Sequence, residues 1–167
     1  MLRYPAALLV LAVLALAPFA AEAQGWRTYV NPRFGTTAEV PRDWRPGRPP
    51  DNNDGLAFVS PDSLSTITVS GGFQVLDTIA EALRLRAEPN EGERITYRHQ
   101  TARSIVVSGL RGEHIFYRKS ILSCRDTIWN SVSIEYPAAR KQAFDALATR
   151  VANSLRQGRG EQTTECQ

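Results

Sequence analysis

Catalytic signatures are missing from this sequence. Its 167 residues hold no G-x-S-x-G elbow, no G-x-x-x-x-G-K-S/T phosphate loop, no G-x-G-x-x-G turn and no H-E-x-x-H pair. Histidine is scarce: only His99 and His114 occur, so a triad would need one of them beside a nucleophile and an orienting acid. By strand alternation His99 shares a face with Ile95 and Tyr97, and His114 shares one with Phe116 and Arg118; each reads as an ordinary strand residue. With only two histidines and both cysteines expected to pair with each other, no transition-metal site is expected. Long apolar runs are also absent after residue 24, so nothing downstream could span a bilayer as a helix.

Charge is mild. The net value is +3, and all but two of the 20 basic residues are arginines, scattered without a block, which argues against nucleic-acid binding. The run Asp51-Asn52-Asn53-Asp54-Gly55 has the oxygen ligands that calcium wants, but its register fails: Gly55 falls at the fifth place and Asp62 at the twelfth, where a bidentate Glu belongs. Asn, Asp and Gly there read instead as a turn. No cofactor site is expected.

The N-terminal order is that of a secretory signal: Arg3 as the positive region, Ala6–Ala17 as the apolar stretch, Pro18 as breaker, then Ala21-Glu22-Ala23. Residues 1–23 are therefore expected to be removed by cleavage between Ala23 and Gln24, giving a periplasmic or secreted protein with no membrane span. What remains, roughly 144 residues, is the commonest size of one domain. A single α+β domain over 24–157 and a polar tail over 158–167 are expected. An oxidising compartment favours a bridge between Cys124 and Cys166 that pins this tail; two free thiols or a redox pair are the alternatives.

Along the mature chain, Gln24–Val40 reads as a hairpin around Asn31-Pro32-Arg33, and Pro41–Asp54, with four prolines, as an irregular loop. Leu56–Ser60 and Leu64–Phe73 read as strands joined at Pro61-Asp62. Thr78-Ile79-Ala80-Glu81 fits a capping box, so a helix is expected over Thr78–Ala87, with Ile79, Ala82, Leu83 and Leu85 apolar. Strands follow over Arg94–Thr101, Ser104–Leu110, Glu113–Leu122 and Asp126–Tyr136, with short turns that imply antiparallel neighbours. The last has Ile128, Val132, Ile134 and Tyr136 on a core face and Trp129, Ser131, Ser133 and Glu135 on a wet one. Pro137 opens a helix to Leu155 whose stripe is Phe144, Leu147, Ala148, Val151 and Leu155. The fold class is α+β: an antiparallel sheet of about six to eight strands with two packed helices, one after residue 77 and one C-terminal.

Trp44 stands inside the Pro-rich loop where no periodicity implies burial. Two readings follow: an anchor packed on the sheet, or a contact surface of Arg42, Trp44, Arg45 and Arg48.

The pattern Trp26-x-x-Tyr29-x-Asn31-x-Arg33-Phe34-Gly35, then Asn53-Asp54-Gly55, then Tyr136-Pro137 before a helix, resembles small exported bacterial proteins whose closing region is similar to the PsbP-like α/β sandwich. The resemblance implies a central antiparallel sheet flanked by helices and a role in binding or in assisting assembly; it carries over no functional residues. The expected role is a non-enzymatic exported domain that binds a partner protein or envelope component through an exposed sheet face or the Pro41–Asp54 loop. The alternatives are a hydrolase assembled from dispersed residues such as Ser108, His114 and an acid, and a secreted inhibitor or virulence-associated factor.

Overall fold

The opening hairpin is formed by β1 (Trp26–Val30) and β2 (Thr36–Pro41) in a computed structural model that describes residues 25–166. The expected signal segment and its cleavage pair, Ala23 and Gln24, lie outside the described residues. There follow β3 (Arg45–Pro46), β4 (Gly55–Val59), β5 (Thr66–Phe73), α1 (Ile79–Arg86), β6 (Glu93–Gln100), β7 (Ser104–Arg111), β8 (His114–Ser123), β9 (Ile128–Pro137), α2 (Lys141–Ser154) and β10 (Arg156–Gln157). Seven strands make one antiparallel sheet in the order β3-β4-β5-β9-β8-β7-β6, and β1-β2-β10 make a second, smaller one. The α+β architecture and its two helices are as the patterning predicts; the separate small sheet is additional. Among the described residues no helix is long and apolar enough to cross a membrane.

Alternation along the strands writes two different faces on the large sheet. One carries Ile67, Val69, Val132, Ile134 and Tyr136, and is sealed by Phe144, Leu147, Ala148 and Val151 of α2 and by Ala38 and Val40 of the small sheet. The other carries Ile105, Val107, Phe116, Leu122 and Trp129 under Ala82 and Leu83 of α1. The second face corrects the expectation of a wet surface around Trp129. That indole is 1 % exposed because α1 packs over it, and its Nε1–H donates to Gln74 Oε1 at 2.9 Å. Leu85, read as part of the apolar face of α1, is half exposed instead.

α1 starts as the sequence indicates, with the Thr78 hydroxyl accepting the Glu81 N–H at 3.1 Å. Its eight residues span roughly 12 Å, whereas seven strands span roughly 29 Å. The helix therefore covers only part of its face, and Thr66, Thr68, Ser70, Ser131 and Ser133 stay half-buried beside it.

The loop expected over Pro41–Asp54 is not wholly irregular. Arg45 and Pro46 pair with Val59 and Phe58 as an edge strand, a place where proline's missing N–H costs little. The loop is also tied to the opening hairpin: Asn31, fully buried, donates through Nδ2 to Asn53 O at 2.9 Å and accepts the Phe34 N–H at 2.7 Å, while Arg33 donates to Asn52 O. The motif residues Asn31, Arg33 and Asn53 thus form one mechanical unit.

The tail is held by more than its disulfide. Cys124 and Cys166 are bridged, with their Cα atoms 4.7 Å apart. In addition β10 pairs with Thr36 and Thr37, Gly158 N–H donates to Gly35 O, and the N–H groups of Glu161 and Gln162 donate to Pro32 O and Arg33 O. Gly35, at φ +67°, approaches the tail so closely that a Cβ there would collide with the backbone of Gly158 and Arg159.

Candidate functional site

On the sealed face α2 covers β9 and the small sheet fully, but it thins toward β7 and β6. The reason is side-chain size: where α2 looks toward those outer strands it carries Ala148, Thr149 and Ala152. A groove of about 300 Å³ is left between helix and sheet, floored by Tyr97, Ser108, Ile115, Tyr117 and Tyr136, with Lys141 and Asp145 at its rim. Strand register builds the floor. Tyr97 lies opposite Ser108, Ser108 opposite Tyr117, and Ile115 opposite Tyr136.

Tyrosine at three places gives an apolar wall with polar tips, the combination that serves recognition surfaces. Tyr136 is buried and stacked on Phe144, with centroids 4.8 Å apart and planes 12° from parallel. Tyr117 is half-buried, and Tyr97 is 54 % exposed at the open end. Burial pushes the Tyr117 phenol up, and the neighbouring Tyr97 adds to it; burial and then Asp145 push Tyr136 up. Tyr117 and Tyr136 are thereby held as neutral hydrogen-bonding groups at physiological pH. At the rim Lys141 Nζ donates to both Asp145 oxygens at 2.9 and 2.8 Å, which keeps its ammonium above the usual lysine range. Lys119, lowered by burial, donates to Ala152 O and fastens α2 to β8.

Sequence reasoning misplaced Tyr97 for a definite reason. A β-bulge at Thr96 puts Ile95 opposite Gly109 and Tyr97 opposite Ser108, so Ile95 and Tyr97 face opposite sides of the sheet. Ile95 packs under α1 and Tyr97 enters the groove. Simple alternation, which placed Ile95, Tyr97 and His99 together, is corrected here.

The residues singled out in the sequence lie elsewhere. Trp44 is 3 % exposed, its ring 6.4 Å from that of Phe144, and its carbonyl accepts from Arg27 at 2.7 Å; it is the loop's anchor. Arg42, Arg45 and Arg48 remain outside, Arg42 donating to Trp26 O and Arg45 to Ser63 Oγ. Ser108 and His114 are not brought together. Ser108 Oγ donates to Phe116 O, and His114 sits opposite Arg111, three residues farther along the ladder, roughly 10 Å away.

No protein-family model matches this sequence, and no curated protein matches it. Solved structures do. Cyanobacterial PsbP (CyanoP) from Synechocystis is 10% identical with a TM-score of 0.58, over 82% of this chain and 95% of that one. The Ran-binding protein Mog1p of Saccharomyces cerevisiae is 12% identical with a TM-score of 0.54, over 80% of this chain and 96% of that one. A point mutant of Mog1 is 13% identical with the same score, over 79% and 95%. At these identities the likeness speaks for architecture, and the architecture of this chain is the PsbP-like α/β fold.

Proposed function

We propose that this chain is a non-enzymatic domain, exported and cleaved between Ala23 and Gln24, that binds a partner protein or envelope component through the groove between α2 and strands β6 to β8. The observation that carries the reading is the groove itself: a tyrosine floor, one ring wide open to solvent, beside a rim ion pair. A fold likeness to a protein described as Ran-binding supports a binding role in general and lends no partner. The disulfide fits an oxidising compartment, and the order of charge, apolar stretch and small residues over 1–23 supports export to the periplasm or beyond.

The test is site-specific photo-crosslinking in the native envelope fraction with the reactive group at position 97 or at position 48. A discrete adduct from position 97 is expected, and Thr149→Trp, which places a large ring at the exposed groove mouth, is expected to abolish it. An adduct from position 48 alone would move the contact to the Arg42, Arg45 and Arg48 surface. An adduct at 97 indifferent to Thr149→Trp would remove the groove. N-terminal sequencing of native protein is expected to begin at Gln24; intact Met1 would end the export reading.

A further inference from the structure

Among the described residues the half-buried arginines have a partner with one exception: Arg118 and Arg140 meet carboxylates, and Arg27 and Arg33 donate to the carbonyls of Trp44 and Asn52. Arg84, Arg103, Arg111 and Arg150 also meet carboxylates. Arg86, the last residue of α1, does not: among the described residues no carboxylate lies within ion-pair distance of it, although it is half-buried. Its guanidinium carbon sits 4.1 Å from the centroid of Trp129. Burial without a partner disfavours the charged form, and the pKa of Arg86 is accordingly lowered by desolvation.

A stacked guanidinium spends its face on the indole and leaves its N–H edges free. Beside Arg86 lies a cleft of about 200 Å³, on the face of the sheet opposite the tyrosine groove, with Ile105, Val107, Asn90, Arg118 and Ser120 among its walls. The other charges there are already satisfied. Arg118 donates through Nη1 to both oxygens of Glu93 and through Nη2 to Glu88 O, and the Glu88 carboxylate is held by Arg84. Ser120 and Ser131 share one hydrogen bond at 2.8 Å, which leaves the pair a second hydroxyl hydrogen to donate. The cleft therefore combines one uncompensated fork of donors, a spare hydroxyl and an apolar lining, half-exposed Leu85 at its wall with Ile105 and Val107 beneath.

We propose that this cleft binds a short-chain carboxylate, its two oxygens on the Arg86 guanidinium and its alkyl stem over Ile105 and Val107. Planar fork-to-fork geometry favours a carboxylate, and the apolar lining favours an alkyl stem over a compact, fully hydrated anion such as phosphate. The volume limits the ligand to a few heavy atoms, so the carboxylate is a small free acid or the end of one residue of a longer chain.

The experiment is an NMR titration of the isotope-labelled protein with propionate and, separately, with inorganic phosphate at constant ionic strength. The indole N–H of Trp129 and the Nε–H of Arg86 are the reporters. Saturable shifts with propionate in the millimolar range are expected, with phosphate several-fold weaker. Arg86→Met keeps apolar cover on Trp129 and is expected to weaken propionate about tenfold or more, the loss of a charge-assisted pair. Arg86→Lys keeps the charge without the fork and is expected to fall between the two; it carries the test if Arg86→Met does not fold. Unsaturable shifts, equal affinity in both variants, or phosphate binding as tightly as propionate would each overturn the assignment. Because the groove lies on the other face, failure here leaves the crosslinking result at Tyr97 intact, and the reverse.

Discussion

The two faces of the seven-stranded sheet are written by the same strands, one residue out of phase, and they have been finished differently. One carries Ile67, Val69, Val132, Ile134 and Tyr136 and is sealed by a fourteen-residue helix and a second sheet. The other is apolar only under an eight-residue helix, and beyond it turns to serine and threonine. Where cover is more extensive, the opening is a seam left by small residues on the covering helix, Ala148 and Ala152. Where cover is partial, it is a charge left uncompensated at the helix end, Arg86. Side-chain size on the covering helix shapes the first opening, and the short reach of the covering helix the second.

The largest effect that could break this contrast comes from neighbours on one strand. Ile134 is fully buried on the sealed face, and Ser133, next to it, is half-buried on the hydroxyl face. Ile134→Ala is expected to cost about 2–5 kcal/mol through lost burial and a cavity. Ser133→Ala is expected to stay within about 0.5 kcal/mol. Urea unfolding midpoints at constant slope measure both. A loss of similar size at Ser133 would mean that the hydroxyl face is as tightly packed as the apolar one, and the distinction would fall.

Much of this contrast can be read from the sequence, and its gaps have physical causes. Period-two alternation located Val132, Ile134 and Tyr136, and helical spacing located Phe144, Leu147, Ala148 and Val151, because burial and period coincide there. Trp129 escapes this reading because alternation reports which face a residue occupies and is silent on what covers that face. Tyr97 was displaced by a bulge, which inserts one residue and inverts the phase without any glycine or proline to announce it. The tail looked featureless because Gly158, Glu161 and Gln162 bind through backbone groups, whose partners leave no side-chain signal. Cys166 is the tail's mark in the sequence, and the turn that holds its partner is unusual in backbone terms: Cys124, Arg125 and Asp126 all have φ between 53° and 68°.

An intermediate effect separates covalent closure of the sealed face from non-covalent closure. Replacing Cys124 and Cys166 together by serine is expected to cost about 2–4 kcal/mol, the usual contribution of a bridge closing a loop of this order. The variant should still fold, with the amides of Gly158, Glu161 and Gln162 protected from hydrogen exchange, since each has a backbone acceptor in the opening hairpin. Gln157 reinforces them: its Nε2 donates to Phe34 O at 2.7 Å, and its Oε1 accepts from Asn130, a fully buried amide on β9. Free exchange of the three amides in the serine variant would show that the bridge alone holds the tail, and the sealed face would owe its last strand to a covalent bond.

The smallest effect tests the rim where the β4–β5 turn meets α2. Asp62 accepts the Ser60 hydroxyl at 2.6 Å and the Leu64 N–H at 3.1 Å, and pairs with Arg140, which in turn covers the Phe144 ring at 4.9 Å. Ser60 first, then Leu64 and Arg140, hold its carboxyl down at about 2, against the ordinary 3.8. A carboxyl depressed in the folded state lends stability that is fully present above its ordinary value and is lost as pH falls through the depressed one. Stability should therefore decline between about pH 4 and pH 2 by a component that Asp62→Asn lacks. The group is exposed and the ion pair is screened, so the difference is small and should shrink further in high salt. Urea midpoints of the two proteins compared across that interval measure it. Parallel acid limbs would mean that the Asp62 contacts do not outlast solvent competition, and that Phe144 is kept in place by Tyr136 and Trp44 from within the sealed face rather than by Arg140 from its rim.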